Sequence, residues 1–271
     1  MIQSAEDQSY LVELVDGVLR LSFNRPQSGN AIPKTTVPQL IELFHAAQAD
    51  PSVRCILVRG EGKVFSAGGD IAGFAQSIEQ DVETRQADFA RRLPLARKLV
   101  EAIAAFDGPI VTSVRGAAAG AGLFYPLVAD YAIGDETAAF VFAHQRVALS
   151  PDGGVTAVLP QVVGTRMARM LLMTAAKVEA QEALRLGILH RIVATDALED
   201  EAMKVARRLA RAPQLAIKTA KKLVNDAPQQ TLGEILDAET AGIVVCVGDP
   251  DFEEGVRAFL EKRPTSFPST Q

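Results

Sequence analysis

The sequence predicts an α/β fold. Short apolar runs bounded by turn residues alternate with longer stretches of helical spacing, two glycine-rich stretches each follow a predicted strand, and the chain beyond residue 195 is helical in pattern. Leu11–Val15 and Val18–Phe23 read as two strands joined at Asp16-Gly17, a dipeptide that favours a tight hairpin, and Asn24-Arg25-Pro26 stops the second. Leu40, Leu43, Phe44 and Ala47 recur at helical intervals and predict a helix over about residues 34–49. Cys55–Val58 is a bare apolar run, as expected of a strand buried on both faces. Leu95, Leu99, Ile103 and Phe106 mark a second long helix, which Asp107-Gly108-Pro109 ends before the strand Ile110–Val114. Strand and helix in this alternation favour right-handed crossovers. Tyr131–Ile133 and Ala139–Phe142 read as further strands, and helices dominate from Gly153 onward. Residues 196–271 are almost wholly helical in pattern, with breaks at Pro213, Pro228 and Asp249-Pro250, and a helical tail of that length must cover its apolar stripes against the core or a neighbouring subunit.

Composition narrows the function classes. The 271 residues carry 28 Lys and Arg against 33 Asp and Glu, a formal charge of −5, which argues against a nucleic-acid surface. Cys55 and Cys246 lie too far apart to suggest a disulfide framework and favour a reducing compartment. His45, His144 and His190 show no pairing of the kind a zinc site needs, so no metal is expected. The polar, acidic start carries no secretory or mitochondrial address, and no apolar run is long enough for a membrane span. The expectation is a soluble cytoplasmic protein with neither nucleic acid nor membrane as partner.

Three segments are candidates for chemistry. Phe65-Ser66-Ala67-Gly68-Gly69-Asp70-Ile71 follows the Cys55 strand, and Arg115-Gly116-Ala117-Ala118-Ala119-Gly120-Ala121-Gly122-Leu123 follows the Ile110 strand. Each reads either as a tight strand-to-helix turn or as a loop whose small residues admit a ligand to the backbone amides. Two such loops side by side can aim two N–H groups at one oxygen, an oxyanion hole. A dinucleotide site fails, because neither loop spells G-x-G-x-x-G and no acidic residue follows at the required distance; a Walker loop is absent. Ser150-Pro151-Asp152-Gly153-Gly154 is turn chemistry in which Asp152 either caps the next helix or offers a carboxylate. His144, in the apolar Phe140–Ala143 neighbourhood, suits a core or rim histidine as well as a catalyst. The basic run Lys204, Arg207, Arg208, Arg211, Lys218, Lys221 and Lys222 is either a solvated helical face or a patch for an anionic ligand.

Taken together these segments resemble the crotonase superfamily, the enoyl-CoA hydratase/isomerase family, from about Val12 to Phe267. Asn24-Arg25-Pro26 with Asn30-Ala31 is similar to its N-R-P…N-A segment, Phe65–Ile71 to its F-x-A-G-x-D-[IL] loop, and Pro109–Asp130 to its P-[IV]-x-x-x-V-x-G-x-A-x-G-x-G run. Ala258-Phe259-Leu260-Glu261-Lys262-Arg263 resembles its C-terminal A-F-x-E-K-R. The resemblance implies a core of repeated ββα units over residues 1–195 and a C-terminal helical trimerisation region over 196–271, assembled as a homotrimer or homohexamer. It implies an acyl-CoA substrate of the kind met in fatty acid metabolism. Coenzyme A then belongs to the substrate, and no separate cofactor is expected. The thioester carbonyl would sit between the amides of Gly69 and Ala121, and losing one such donor typically costs roughly 3–4 kcal/mol of transition-state stabilisation. Gln27 and Ala67, Gly68, Asp70 and Ile71 would line the adenine side; Phe259 and Lys262 would reach the nucleotide end, in many members from a neighbouring subunit. Pocket walls would come from Phe74, the 77–95 segment, Phe124 and Tyr125.

The chain also departs from the hydratases of that family. Ungapped alignment puts Phe124 where their first catalytic glutamate belongs and His144 where the second does, so the two-glutamate activation of water is unavailable. Asp152, eight residues further on, matches an aspartate of isomerase-type members. The resemblance therefore implies a double-bond isomerase or related enolate-forming rearrangement, with Asp152 as base and His144 assisting. A carboxylate enclosed beside Phe124 would be a better base near neutral pH. A hydratase using His144 and Asp152, and an acyl-CoA-binding protein without catalysis, remain the alternatives.

Overall fold

The computed structural model describes residues 2–69 and 71–271, with residues 71–73 described by backbone alone. In chain order the elements are β1 (Tyr10–Val15), β2 (Val18–Phe23), α1 (Val37–Ala49), β3 (Cys55–Gly60), α2 (Ile71–Ile78), α3 (Val82–Ala104), β4 (Ile110–Val114), β5 (Ala117–Ala119), α4 (Phe124–Val128), β6 (Tyr131–Asp135) and β7 (Ala139–Val141). Then follow α5 (Val155–Val163), α6 (Thr165–Met173), β8 (Lys177–Glu179), α7 (Ala180–Arg185), β9 (Arg191–Val193), α8 (Leu198–Ala210), α9 (Gln214–Asp226), α10 (Leu232–Val247) and α11 (Pro250–Glu261). The α/β class is as expected.

The β1–β2 hairpin closes at Asp16 and Gly17, both at positive φ (54° and 79°), as a tight hairpin turn requires. A six-stranded sheet runs β1-β2-β3-β4-β6-β9, parallel from β2 onward, and a smaller one runs β5-β7-β8. The alternation of side chains along each parallel strand divides the core. Leu19, Leu21, Ile56, Val58, Ile110 and Val114 face one cluster with Phe44, Phe65 and Ile103; Val18, Cys55, Leu57 and Val111 face the other, covered by Leu198, Ala202, Val205 and Ala206 of α8. Bare apolar runs are thus the signature of strands covered on both sides. The helix covering the second side begins at Leu198, just past residue 195.

Element ends differ from the sequence expectation in three places. α1 starts at Val37 rather than near residue 34, because Pro33–Thr36 closes a turn (Thr36 N to Pro33 O, 3.0 Å) and Pro38 then sits in the first helical turn, where its missing N–H costs nothing. Phe142 lies beyond β7, its amide bonded to Ala176 O. Phe106 lies beyond α3 yet is buried. The short strands β5, β8 and β9 escaped the sequence reading. Ala117–Ala119 has no β propensity of its own and is a strand only because Ala139–Val141 pairs with it.

The basic run of residues 204–222 is largely engaged. Arg207 forms an ion pair with Asp16 at 2.9 Å, Lys221 reaches Asp130 at 2.9 Å and Gly108 O at 2.8 Å, and Lys222 pairs with Asp226 at 2.6 Å. Behind α11, Arg263 and the Ser266 amide bond Glu254, which holds that carboxyl down at about 2 and ties the terminal segment to the helix. Among the described residues no helix is long and apolar enough to cross a membrane, and no group of three metal-ligating side chains converges.

The segments leaving the carboxyl ends of β2, β3 and β4 meet at one end of the large sheet, where open α/β sheets place ligands. Asn30 fastens them. It is buried, accepts from Arg25 N (2.8 Å) and donates to Glu61 O (2.9 Å) and Val64 O (2.6 Å), fixing the approach to the first glycine loop. Asn30→Ala leaves one buried amide and two carbonyls without partners, so it should destabilise the protein by about 3 kcal/mol in chemical denaturation. A loss below about 1 kcal/mol would show that water replaces the side chain.

Candidate active site

Ser66 zips the two glycine loops together. Its amide donates to Ala117 O (3.1 Å), its carbonyl accepts from Ala119 N (2.9 Å), and its hydroxyl bridges Asn30 O (3.0 Å) and Gly68 N (3.1 Å). The first loop is therefore an added parallel strand beside β5. Gly68 follows at φ +83°, where a β-carbon would stand 2.4 Å from Ala119 O and 2.8 Å from Ala121 N, so only glycine fits. The loop is braced from below by Ala67 N to Gly29 O (2.7 Å) and Ile32 N to Gly68 O (3.0 Å).

This packing brings the amides of Gly69 and Ala121 together: a β-carbon on Gly120 would lie 4.0 Å from Gly69 N. Ala121 stands in the first turn of the short 3-10 helix Gly120–Leu123, where a backbone N–H has no partner inside the turn. Among the described residues neither amide donates a hydrogen bond, and both residues are exposed. Two neighbouring backbone N–H groups, if both point at one place, can polarise one carbonyl oxygen.

The Asp152 turn docks on the same structure. A β-carbon on Gly153 would sit 3.8 Å from Ala121 Cα, and one on Gly154 (φ +78°) would collide with the Phe124 ring at 2.8 Å. The sequence left helix capping open for Asp152. In the structure Gly154 is the N-cap of α5, with no side-chain cap bond, while Asp152 Oδ1 lies 3.5 Å from His144 Nε2. That gap exceeds a hydrogen bond. Both imidazole nitrogens are buried without a hydrogen-bond partner. The expectation that Asp152 is enclosed beside Phe124 needs correction, since its side chain is 53% exposed. Phe124 is itself a core residue, 3% exposed, whose ring supports the turn from beneath.

The other expected positions separate into two groups. Gln27 lies exposed in the 3-10 turn Pro26–Ser28, and the next residue, Gly29, touches Ala67, so this turn and the first glycine loop adjoin. Asp70 lies outside the described residues, as does the Ile71 side chain. Phe259 (83% exposed) and Lys262, the left-handed C-cap of α11, are on the C-terminal helices, where α11 packs mainly on α10 and the terminal turn rather than on the glycine loops. A groove of about 500 Å³ there, lined by Pro213, Cys246, Phe252, Val256, Phe259 and Leu260, is distinct from the paired amides. Tyr125, also expected in a pocket wall, is fully buried against Phe23 and Phe65, and burial pushes its phenol up.

Phe74 and the 77–95 segment, expected in the pocket walls, meet near the amides in one cluster whose contacts the sequence did not show. Phe74 of α2, whose Cζ lies 4.0 Å from where a Gly69 β-carbon would be, stacks on Phe89 of α3 (5.7 Å, 27°), and Arg92 lies over both rings. Beside it Asp88 takes a hydrogen bond from Arg91 (2.8 Å), which holds that carboxyl below the usual range. Phe89 and Arg92 are three apart on one helix, a spacing that signals contact; their meeting with Phe74 has no sequence signal.

Comparison with known proteins bears on this geometry. The family model described as Enoyl-CoA hydratase/isomerase matches residues 13–270. A crotonyl-CoA hydratase of Syntrophomonas wolfei is 32% identical over 96% of this chain and 98% of its own, and a 1,2-epoxyphenylacetyl-CoA isomerase of Escherichia coli is 33% identical over 93% and 95%. The crystal structure of an enoyl-CoA hydratase from Polaromonas sp. JS666 superposes with a TM-score of 0.86 at 30% identity, covering 94% of this chain and 98% of that one. With the fold, the paired loops and these matches in agreement over nearly its whole length, the chain belongs to the enoyl-CoA hydratase/isomerase family, the crotonase superfamily.

Proposed function

We propose that this chain is a proton-transferring enzyme acting on an acyl-CoA thioester, shifting a double bond or making a related enolate-forming rearrangement, with Asp152 as the base. The observation that supports the reading is the Asp152 turn seated against Ala121, whose amide lies beside the Gly69 loop; the family resemblance adds that Phe124 and His144 stand where two-glutamate hydratases would carry their carboxylates. In this reading the ionised Asp152 takes the α proton of a 3-enoyl thioester. The electron pair moves through the C–C=O unit onto the thioester oxygen, which the Gly69 and Ala121 amides hold as an oxyanion. Asp152 then returns the proton to the γ carbon and the pair closes a 2,3 double bond. Charge and atoms balance with no oxidant and no cofactor; coenzyme A is carried in as part of the substrate.

His144, buried and unbonded 3.5 Å from Asp152, would position the carboxylate or shuttle its proton. Gln27 and the Ala67–Ile71 segment would take the adenine side of the CoA. Phe259 and Lys262, exposed on α11, would act across a subunit contact. Assembly into three or six copies is favoured by the apolar side chains that the C-terminal helices leave exposed, among them Leu232, Ile243, Val244 and Leu260. A cytoplasmic location is in keeping with CoA chemistry.

A second reading, hydration of a 2-enoyl thioester, is favoured by the 3.5 Å approach of His144 Nε2 to Asp152 Oδ1, which places two proton-transferring side chains together beside Ala121. Parallel assays with 3-hexenoyl-CoA and crotonyl-CoA separate the readings. The isomerase reading expects a 2-enoyl product from the first substrate, solvent deuterium at its α or γ carbon, and a loss on His144→Ala of no more than about 10²-fold. Rapid hydration of crotonyl-CoA, abolished by His144→Ala and spared by Asp152→Asn, would overturn it. Tight thioester binding without deuterium exchange would instead mark a non-catalytic binder.

A further inference from the structure

Arg92 presents a donor that nothing among the described residues satisfies. Its guanidinium carbon lies 3.4 Å from the centroid of the Phe89 ring and 5.4 Å from that of Phe74. Only 18% of the side chain is exposed, and Nη2 is buried with no hydrogen-bond partner. Burying a charged donor in this state is costly unless an acceptor arrives. The neighbouring carboxylate does not fill that role. Asp88 is already bonded to Arg91 at 2.8 Å and lies 3.8 Å from Lys34, and its approach to Arg92 is through Nη1 at 3.9 Å, beyond hydrogen-bond reach. Among the described residues three cations thus share this carboxylate, leaving an excess of positive charge midway along α3.

The position of this excess relative to the paired amides is what gives it meaning. Phe74 touches the space above Gly69, and the Arg92 guanidinium lies against the same pair of rings, 5.4 Å from the Phe74 centroid, so one aromatic side chain contacts both the guanidinium and the loop that would hold the thioester carbonyl. An acyl chain running from the Gly69 and Ala121 amides along Phe74 would bring its distal end to Arg92. Stacking fixes the guanidinium plane and leaves its edge to recognise a planar anion, the geometry in which arginine binds carboxylates with two parallel hydrogen bonds.

We infer that Arg92, stacked on Phe89 and Phe74 beside the oxyanion loop, is a specificity residue that binds a carboxylate at the far end of the acyl chain, so that the preferred substrates are dicarboxylic acyl-CoA thioesters. This rests on the thioester reading of the site and narrows it to a substrate class. A neutral acyl tail would meet the rings equally well but would leave Nη2 unbonded and the charge excess uncompensated.

Saturated thioesters, which cannot turn over, allow a direct test by titration calorimetry on the full-length protein. The pairs are succinyl- against butyryl-CoA, glutaryl- against valeryl-CoA, and adipyl- against hexanoyl-CoA, each differing only in the terminal group. The expected result is a dissociation constant about tenfold lower for the diacid member of the pair that spans the distance. Arg92→Met, which keeps the apolar stem over the rings, should abolish that preference while leaving the neutral partner within about twofold. Absence of any preference in all three pairs would overturn the inference, as would equal weakening of both members in Arg92→Met, the mark of a purely structural stack. Failure of every thioester to bind would instead sink the thioester reading itself, so the two failures are distinguishable.

Discussion

Replacing Ala121 with proline should lower turnover of the thioester substrate by roughly 10²–10³-fold, the range expected when one preorganised oxyanion donor is lost. The substitution deletes one N–H and little else. Ala121 occupies the first turn of the 3-10 helix Gly120–Leu123, its amide serves no acceptor among the described residues, and the side chain is exposed. Proline is tolerated at such a position, since the absent hydrogen bond was never made. The melting temperature should therefore move by only a few degrees, and near- and far-ultraviolet dichroism should be unchanged. Ala121→Gly supplies the control, because it keeps the amide and should keep most of the activity. Retained activity in Ala121→Pro, or an equal loss in Ala121→Gly, would remove this amide from the mechanism.

Asp152→Asn should be the most damaging side-chain change at the site, lowering turnover by roughly 10²–10⁴-fold, as loss of a general base does. Asparagine preserves shape and one acceptor oxygen but cannot carry the proton between carbons. Its structural cost should be small, within about 0.5 kcal/mol, because the carboxylate is half-exposed and caps no helix. Deuterium wash-in at the α carbon should vanish with turnover, whereas thioester affinity should persist, since the amides of Gly69 and Ala121 are untouched. A variant that still exchanges α protons at the parental rate would hand the base role to another group, with His144 the nearest candidate at 3.5 Å. The pair of variants also divides the mechanism. Proline at 121 strikes the developing oxyanion, and asparagine at 152 strikes the proton.

Much of this molecule could be read from the chain because its signals are local. Asp16-Gly17 between two apolar runs means a hairpin whatever surrounds it, as the positive φ of both residues bears out. Cys55–Val58 and Ile110–Val114 carry no polar alternation, and both strands are covered on two faces. The breaks at Pro213, Pro228 and Asp249-Pro250 fall where the C-terminal helices end or begin, because proline removes the donor a continuing helix needs. The glycines of the two loops announced close backbone approach, and Gly68 is packed against Ala119 O and Ala121 N too tightly for any β-carbon.

What escaped depended on partners distant in sequence. Ala117–Ala119 became a strand through Val141 and its neighbours, and Ser66 became the clasp of both loops through hydrogen bonds to residues 30, 117 and 119. Asp152 looked equally like a helix cap, and only the fold, by giving the N-cap to Gly154, directed its carboxylate toward His144. The enclosure expected from the neighbouring Phe124 was also misjudged, because the ring points beneath the turn and leaves the carboxylate half in water. The stack of Arg92 on Phe89 and Phe74 joins two helices that no periodicity relates. Sequence alone thus determined the hairpin, the doubly covered strands, the longer helices and the tight loops, since backbone preference and side-chain period act over a few residues. Tertiary structure alone decided which loops adjoin, which carboxylate faces which imidazole and where, among the described residues, a cation is left without an acceptor, since those depend on distances between residues that the chain order does not encode.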